Sequence, residues 1–134
     1  MKRGSVIEFH LEGRSGVSPY LQLITQVRQA LRLGMLSEGD QLPTVKDVVA
    51  RLAINPNTVL KAYRELEYEG LVAARPGVGT FVTKTLTDES LPAHAGLRTE
   101  LEHWLAGARR AGLDDESIEA LIMTTFRATT KEAV

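Results

Sequence analysis

The chain has 134 residues, of which 43% are apolar, so it has room for one compact domain with an ordinary core plus an appendage. It has no cysteine, which excludes a disulfide framework and thiolate metal sites. A net charge of −1 excludes a uniformly basic coat, but the charge is unevenly spread: +1 over residues 1–41, +2 over 42–84 and −4 over 85–134. A nucleic-acid face needs local positive potential rather than a basic whole, so the middle third stays eligible. The start, Met1-Lys2-Arg3-Gly4-Ser5, is basic with no long apolar run behind it; no signal peptide or membrane span is expected, and a cytoplasmic location is the default.

Val6–Phe9 is short and partly apolar, a strand or an arm, and Gly13–Gly16 is a loop. Ser18-Pro19 then pairs an N-cap with the residue favoured at the first helical position. Tyr20, Leu23, Ile24, Val27 and Leu31 follow at helical spacing, which predicts a helix over Pro19–Leu33 stopped by Gly34. Gly39-Asp40 marks a turn. Thr44 caps a second, short helix over Val45–Leu52, with Asp47 placed as a capping-box partner and Val45, Val48, Val49 and Leu52 on the buried side. After the turn Ala53-Ile54, Asn55 and Pro56 start a third helix that Gly70 ends. Its apolar face is Val59, Ala62, Tyr63 and Leu66, and its other face carries Asn57, Thr58, Lys61, Arg64 and Glu65. Leu71–Arg75 and Thr80–Thr83 alternate as two strands around a Pro76-Gly77-Val78-Gly79 tip. Thr85–Ser90 is a polar linker. A helix is predicted over Leu91–Ala111, with Leu97, Leu101, Trp104, Leu105 and Ala108 apolar. Gly112 breaks it. Asp114-Asp115-Glu116 suits the positive end of a last helix carrying Ile118, Leu121, Ile122 and Phe126 on one side.

Helix, tight turn, helix and two-stranded flap is the order of a winged helix-turn-helix, which lays its second helix in the DNA major groove. The expected fold is therefore mainly α with a small β-wing: a winged helix-turn-helix over 1–84 and a short helical dimerisation tail over 85–134. Asn57 and Thr58 sit where a recognition helix meets base edges; an Asn amide suits adenine and a Thr methyl suits the thymine methyl. Thr44, Lys46, Lys61, Arg64 and Arg75 are placed for phosphates. Gly77, Gly79 and Thr80 would let the wing backbone come close to the sugar-phosphate chain or minor groove. Each residue also has a blander reading. Thr44 and Asn55 are caps first; Asn57, Lys61 and Arg64 taken singly are a solvated face; the glycines serve hairpin geometry. Their joint placement on one helix and one wing is what gives them weight.

The pairs Leu42-Pro43-Thr44, Thr58-Val59, Leu66-Glu67 and Gly70-Leu71 and the run Gly77-Val78-Gly79-Thr80, with Pro19-Tyr20 and Gly39-Asp40 upstream, resemble the GntR family of bacterial transcription factors over about residues 6–83. The resemblance implies DNA contact by Thr44, Lys46, Asn55, Asn57, Thr58, Lys61, Arg64, Arg75, Gly77, Gly79 and Thr80. Two departures matter. Lys46 stands where many members carry Arg, which keeps the charge and loses the bidentate fork. Asn55-Pro56 replaces a Ser/Thr-Arg pair, so base readout differs from that of the better-known members. The Asn-Pro-Asn-Thr version is similar to the YtrA-type branch. The tail of about 50 residues is too short for a large effector-binding or aminotransferase-like domain, and it fits that branch's two-helix tail. The likeness implies a dimeric repressor of a two-fold operator, often linked to transporter operons.

Leu97, Leu101, Trp104, Leu105, Ile118, Leu121, Ile122 and Phe126 must pack on something, since two short helices enclose little core. The alternatives are helix 1 of the same chain or a twin subunit, and the family likeness favours the twin. A small-molecule effector would have to use a pocket between tail and DNA domain or at a dimer interface. His94 and His103 lack metal-ligand spacing, and no phosphate loop or nucleophile elbow is present, so no cofactor, metal or catalytic group is expected. Two other functions stay open on the residues alone: a protein-interaction winged helix without specific DNA binding, suggested by the modest charge, and an enzyme fragment.

Overall fold

Five helices and one hairpin make up the computed structural model, which describes residues 7–13, 15–86 and 95–132. They fall into two units, one within Met1–Leu91 and one within Pro92–Val134.

In the first unit α1 (Pro19–Arg32) begins where the Ser18 hydroxyl accepts the Leu21 N–H, and it buries Leu23, Ile24, Val27, Ala30 and Leu31. α2 (Val45–Leu52) begins where Thr44 Oγ1 accepts the Asp47 N–H at 3.1 Å. It ends on Ala53, a left-handed residue with φ of 55° whose N–H bonds the Val49 carbonyl. A side chain in that region costs about 1 kcal/mol, accepted here because the chain must reverse within three residues. α3 (Pro56–Tyr68) is capped by Asn55, and Gly70, at φ of 81°, turns the chain out of it. β1 (Val72–Arg75) and β2 (Gly79–Val82) pair antiparallel, Val72 facing Val82 and Arg75 facing Gly79.

One core joins these elements. Leu23, Ile24, Val27 and Leu31 of α1, Val48 of α2, Val59, Ala62, Tyr63 and Leu66 of α3, and Val72 and Val82 of the hairpin are all buried, closed by Phe9, Leu36, Leu42 and Leu71. Tyr63 ties α3 to the entry of α2: its hydroxyl donates to the Pro43 carbonyl at 2.7 Å. Burial pushes its phenol pKa upward, so the group stays a donor across the working pH range.

The structure refines the sequence expectation in three places. Of strand and arm, the described part of the Val6–Phe9 segment is an arm: Ile7–Phe9 is irregular. Phe9 is nonetheless buried, with its ring 6.5 Å from that of Tyr63. Gln26 of α1 supplies the pairing a strand would have given, accepting the His10 N–H and donating to the His10 carbonyl. The strand bounds shift, since Gly79 belongs to β2 while Leu71 and Thr83 lie just outside the two strands, still joined by the Thr83 N–H donating to the Leu71 carbonyl. The turn before α2 also does more than turn. Gly39 N–H donates to Val82 O, Val82 N–H to Asp40 O and Leu42 N–H to Thr80 O, with Gln41 bridged to Phe81. Residues 39–42 thus act as a third, one-bridge strand on the outer edge of β2.

In the second unit α4 (Ala95–Arg110) and α5 (Asp115–Glu132) are joined through Gly112 at φ of 96°. The Asp114 carboxylate accepts the Ser117 N–H at 2.8 Å, and its pKa is lowered by bonding to Ser117. The expected start of the tail helix at Leu91, His94 and most of the expected linker lie outside the described residues. Leu86, at the near end of that linker, packs on the core of the first unit.

Tyr63→Phe removes the donor to Pro43 and keeps the ring. It should cost about 1–2 kcal/mol in urea unfolding with an unchanged m-value; a change below about 0.3 kcal/mol, within denatured-state effects, would mean that the bond does not hold α2 to α3.

Candidate nucleic-acid interface

The buried arc of α3 fixes where its other side points. At about 100° per residue, Asn57, Lys61 and Arg64 fall on one strip opposite Val59, Ala62 and Leu66. All three are exposed, and Thr58 beside them is half-buried. Thr44 and Lys46 are exposed at the start of α2, and Arg75 and Gly77 are exposed on the hairpin, with Gly79 and Thr80 half-buried.

The caps shape what the first turns can offer. Thr44 Oγ1 accepts the Asp47 N–H and Asn55 Oδ1 accepts the Asn57 N–H at 2.8 Å. Capping consumes acceptor capacity. The hydroxyl hydrogen of Thr44 and the NH2 of Asn55 are donors, the polarity a phosphate oxygen requires. The capping and contacting roles of these residues are therefore compatible.

Two cations expected to face phosphates have aromatic partners in the same chain. The Lys61 ammonium lies 5.8 Å from the Tyr20 ring centroid, across the α1–α3 packing. The Arg75 guanidinium lies 4.3 Å from the Phe81 ring centroid on the wing. Such contacts hold a long side chain in one place and lower the entropy lost when it meets an anion. Sequence reading missed both rings in this role. A basic residue and an aromatic far apart in sequence carry no local signal of stacking.

A charged cluster braces the far end of α3. Arg28 of α1 forms a forked pair with Glu69, its Nε donating to Oε1 at 3.2 Å and its Nη2 to Oε2. The Arg28 hydrogen bonds hold the Glu69 pKa below the ordinary carboxylate value. Glu65, hydrogen-bonded to Glu69, is pushed the other way, and the Arg28 pKa is raised by the Glu69 bond. The wing root is stitched to the same helix end: Glu67 Oε2 accepts the Ala74 N–H at 3.2 Å and Thr83 Oγ1 donates to the Gly70 carbonyl at 2.9 Å.

In the second unit Leu101, Trp104, Leu121, Ile122 and Phe126 line one apolar groove with Thr125. Leu97 is exposed and Leu105 half-buried. Ile118 departs from the expected set: with Ala108 it is buried within its own chain, and it is not part of the open face.

A three-helix core, a helix held with its polar strip outward and a hairpin fastened to that helix's end together define a winged helix-turn-helix DNA-binding domain. The family model described as bacterial regulatory proteins, gntR family, matches residues 19–82. The HTH-type transcriptional repressor YtrA of Bacillus subtilis (strain 168) is 31% identical over 116 residues, covering 84% of this chain and 87% of that protein. The HTH-type transcriptional regulator Rv1152 of Mycobacterium tuberculosis (strain ATCC 25618 / H37Rv) is 36% identical over 100 residues, 75% of this chain and 78% of that one. Among solved structures, a transcriptional antiterminator from Listeria monocytogenes EGD-e superposes with a TM-score of 0.57 at 29% identity, covering 90% of this chain and 91% of that one. The chain belongs to the GntR family of bacterial transcription regulators, on its YtrA-like branch. It is a regulator with a DNA-binding helix-turn-helix domain, and its relatives are not enzymes.

The α1–α3 cluster has a pH signature. With its folded pKa lowered, Glu69 stabilises the fold above its ordinary value and loses that contribution as pH falls through the lowered one. Glu65, with its folded pKa raised, favours the fold when protonated and loses that contribution as pH rises through the raised value. Glu69→Gln should therefore flatten the fall in Tm between about pH 5 and pH 3. Glu65→Gln should raise Tm at neutral pH relative to its effect at low pH. A Glu69→Gln profile parallel to that of the unsubstituted protein would show that Arg28–Glu69 does not hold α1 to α3 in solution.

Proposed function

We propose that the protein is a dimeric, sequence-specific repressor that lays α3 in the major groove of each half of a two-fold operator, with the wing against the adjacent backbone or minor groove. The observation that carries this reading is the outward strip Asn57, Lys61 and Arg64 on a helix whose opposite face is locked into the core. Asn57 and Thr58 would read base edges. Thr44, Lys46, Asn55, Lys61, Arg64 and Arg75 would meet phosphates, and Gly77, Gly79 and Thr80 would bring the wing backbone close to the duplex. Repression would be steric: occupancy excludes polymerase, and an effector that binds the DNA-free form better lowers occupancy. The YtrA-like affiliation suggests a transporter operon as target and the cytoplasm as the place of action. No described helix is long and apolar enough to cross a membrane.

The dimer is supported by the second unit. Leu97, Leu101, Trp104, Leu121, Met123 and Phe126 are all exposed there, concentrated on two helices that bury only Ala108 and Ile118 among their described residues. Apolar surface gathered in this way marks an interface. The partner we assign is a second copy of the same chain, because a two-fold operator needs two α3 helices.

Three variants separate these parts. Asn57→Ala should lower affinity for DNA from upstream of the protein's own gene by about tenfold to a hundredfold and leave the salt slope unchanged. Equal loss on random DNA would remove base readout from Asn57. Lys61→Ala should weaken binding to every duplex and reduce the salt slope by about 1, and an unchanged slope would take Lys61 off the phosphates. Leu101→Glu with Phe126→Glu should weaken self-association by at least about tenfold in sedimentation equilibrium while leaving the Tm of the winged unit in place. A dimer of unaltered affinity would place the interface elsewhere.

A further inference from the structure

The wing tip touches the rest of its unit through one side chain that the activity described so far leaves unused. Gln41 lies on the edge segment before α2 and is bridged to Phe81 of β2. From there its side chain runs toward the tip, and Nε2 donates to the Val78 carbonyl at 3.3 Å. It can do so because the position it crosses is Gly79. A Cβ built at Gly79 would fall inside the van der Waals shell of Gln41 Nε2 and 3.2 Å from Cδ. Gly79 also has φ of 146°, a backbone conformation side chains rarely adopt. Arg75 is the cross-strand partner of Gly79, and its guanidinium turns away to cover Phe81. The missing side chain at Gly79 is therefore a socket, occupied by the Gln41 amide.

We infer that Gln41 is a positioning residue that fixes the wing tip relative to the helix-turn-helix, and that Gly79 is required as much to admit the Gln41 amide as to relax the hairpin. The wing root is held by Glu67 and Thr83. Backbone bonds from residues 39–42 hold β2 as far as the Thr80 carbonyl, so without the Gln41 side chain the tip beyond it could bend and would lose orientation entropy when it docks on a duplex. Gln41 removes part of that loss in advance. It sits three residues before Thr44, on the chain that leads directly into α2, so tip and helix-turn-helix share one rigid strut. This inference rests on the wing being a DNA-contacting element, as proposed above.

Gln41→Met fills the socket without a donor, and Gln41→Ala empties it. In the DNA-free protein, amide hydrogen exchange at Val78, Gly79 and Thr80 should quicken severalfold in both variants, with exchange in α1 and α3 unchanged. Unchanged exchange at the tip would overturn the positioning role whatever DNA binding does. On duplex DNA from upstream of the protein's own gene, both variants should bind about threefold to tenfold more weakly, with the salt slope intact because Gln41 carries no charge. A looser tip with undiminished affinity would overturn the link between positioning and recognition. Absence of specific binding by the unsubstituted protein would instead overturn the sequence-specific operator reading proposed above and leave the exchange result standing. The socket has its own check. Gly79→Ala should lower Tm, and the loss should shrink by about half or more in a Gln41→Ala background. An equal loss in both backgrounds would reduce Gly79 to hairpin geometry alone.

Discussion

The burial of one face of α3 is the constraint on which the other features of the first unit depend. Val59, Ala62, Tyr63 and Leu66 are taken up by α1, α2 and the hairpin. Rotating α3 by even one residue would expose Leu66 and bury Arg64, and an unpaired buried guanidinium costs several kcal/mol. The outward aim of Asn57, Lys61 and Arg64 is thus enforced by packing, independently of any attraction to DNA. Every other tie then acts on a helix whose rotation is already settled. Tyr63 and Pro43 set its distance from α2, Arg28 and Glu69 hold its far end to α1, and Glu67 fastens the wing to it.

The polar ties have a different energetic character from the core. Arg28 and Glu69 are both partly exposed to water, so their pairing is screened and adds little to global stability. What such a pair can do is restrict the angle at which two helices already in contact cross. The same holds for the Thr83 and Gln41 bonds on the wing, each a surface bond of modest net worth. A recognition surface needs that restriction, because a charge-assisted contact to a phosphate depends on hydrogen-bond distance and direction.

The helices were legible because their signals are local. Ser18-Pro19, Thr44 and Asn55-Pro56 are caps written in one or two residues, and helical spacing predicted the buried side of α3 residue by residue and most of that of α1, whereas on α2 only Val48 is fully buried and Val45, Val49 and Leu52 are half-buried. The exposed strip on α3 followed, being what remains after the buried arc is removed. Other features depend on partners far apart in sequence. Gln41 pairs with Phe81 across a single bridge, too short to show alternation. Phe9 left strand and arm both open, because an apolar side chain in a short run looks the same whether a sheet or a pair of helices receives it. Arg28 and Glu69 lie 41 residues apart, and nothing local distinguishes them from the other charges on their helices. In the tail, spacing identified the apolar residues but not which were already covered. Ile118 and Phe126 look alike in sequence, yet one is 3% exposed and the other 64%.

That difference bears on how the two units divide the work. The first unit closes its own core and leaves the polar strip of α3 outside, with scattered apolar residues such as Leu60 and Tyr68 also exposed. The second leaves Phe126, Leu97 and Leu101 largely in water, and its charge is that of an acidic segment. An acidic surface is a poor companion for a phosphate backbone, so the tail gains nothing electrostatically by approaching the duplex. Its apolar residues gain most by meeting similar surface. Fully burying one such side chain is worth about 1.5–3 kcal/mol, and a symmetric interface counts each residue twice. Self-association through the tail would therefore draw on the hydrophobic effect, which salt does not weaken, while DNA binding through the wing and α3 would draw on counterion release, which salt does. A regulator built in this way would remain a dimer under conditions that free it from its operator.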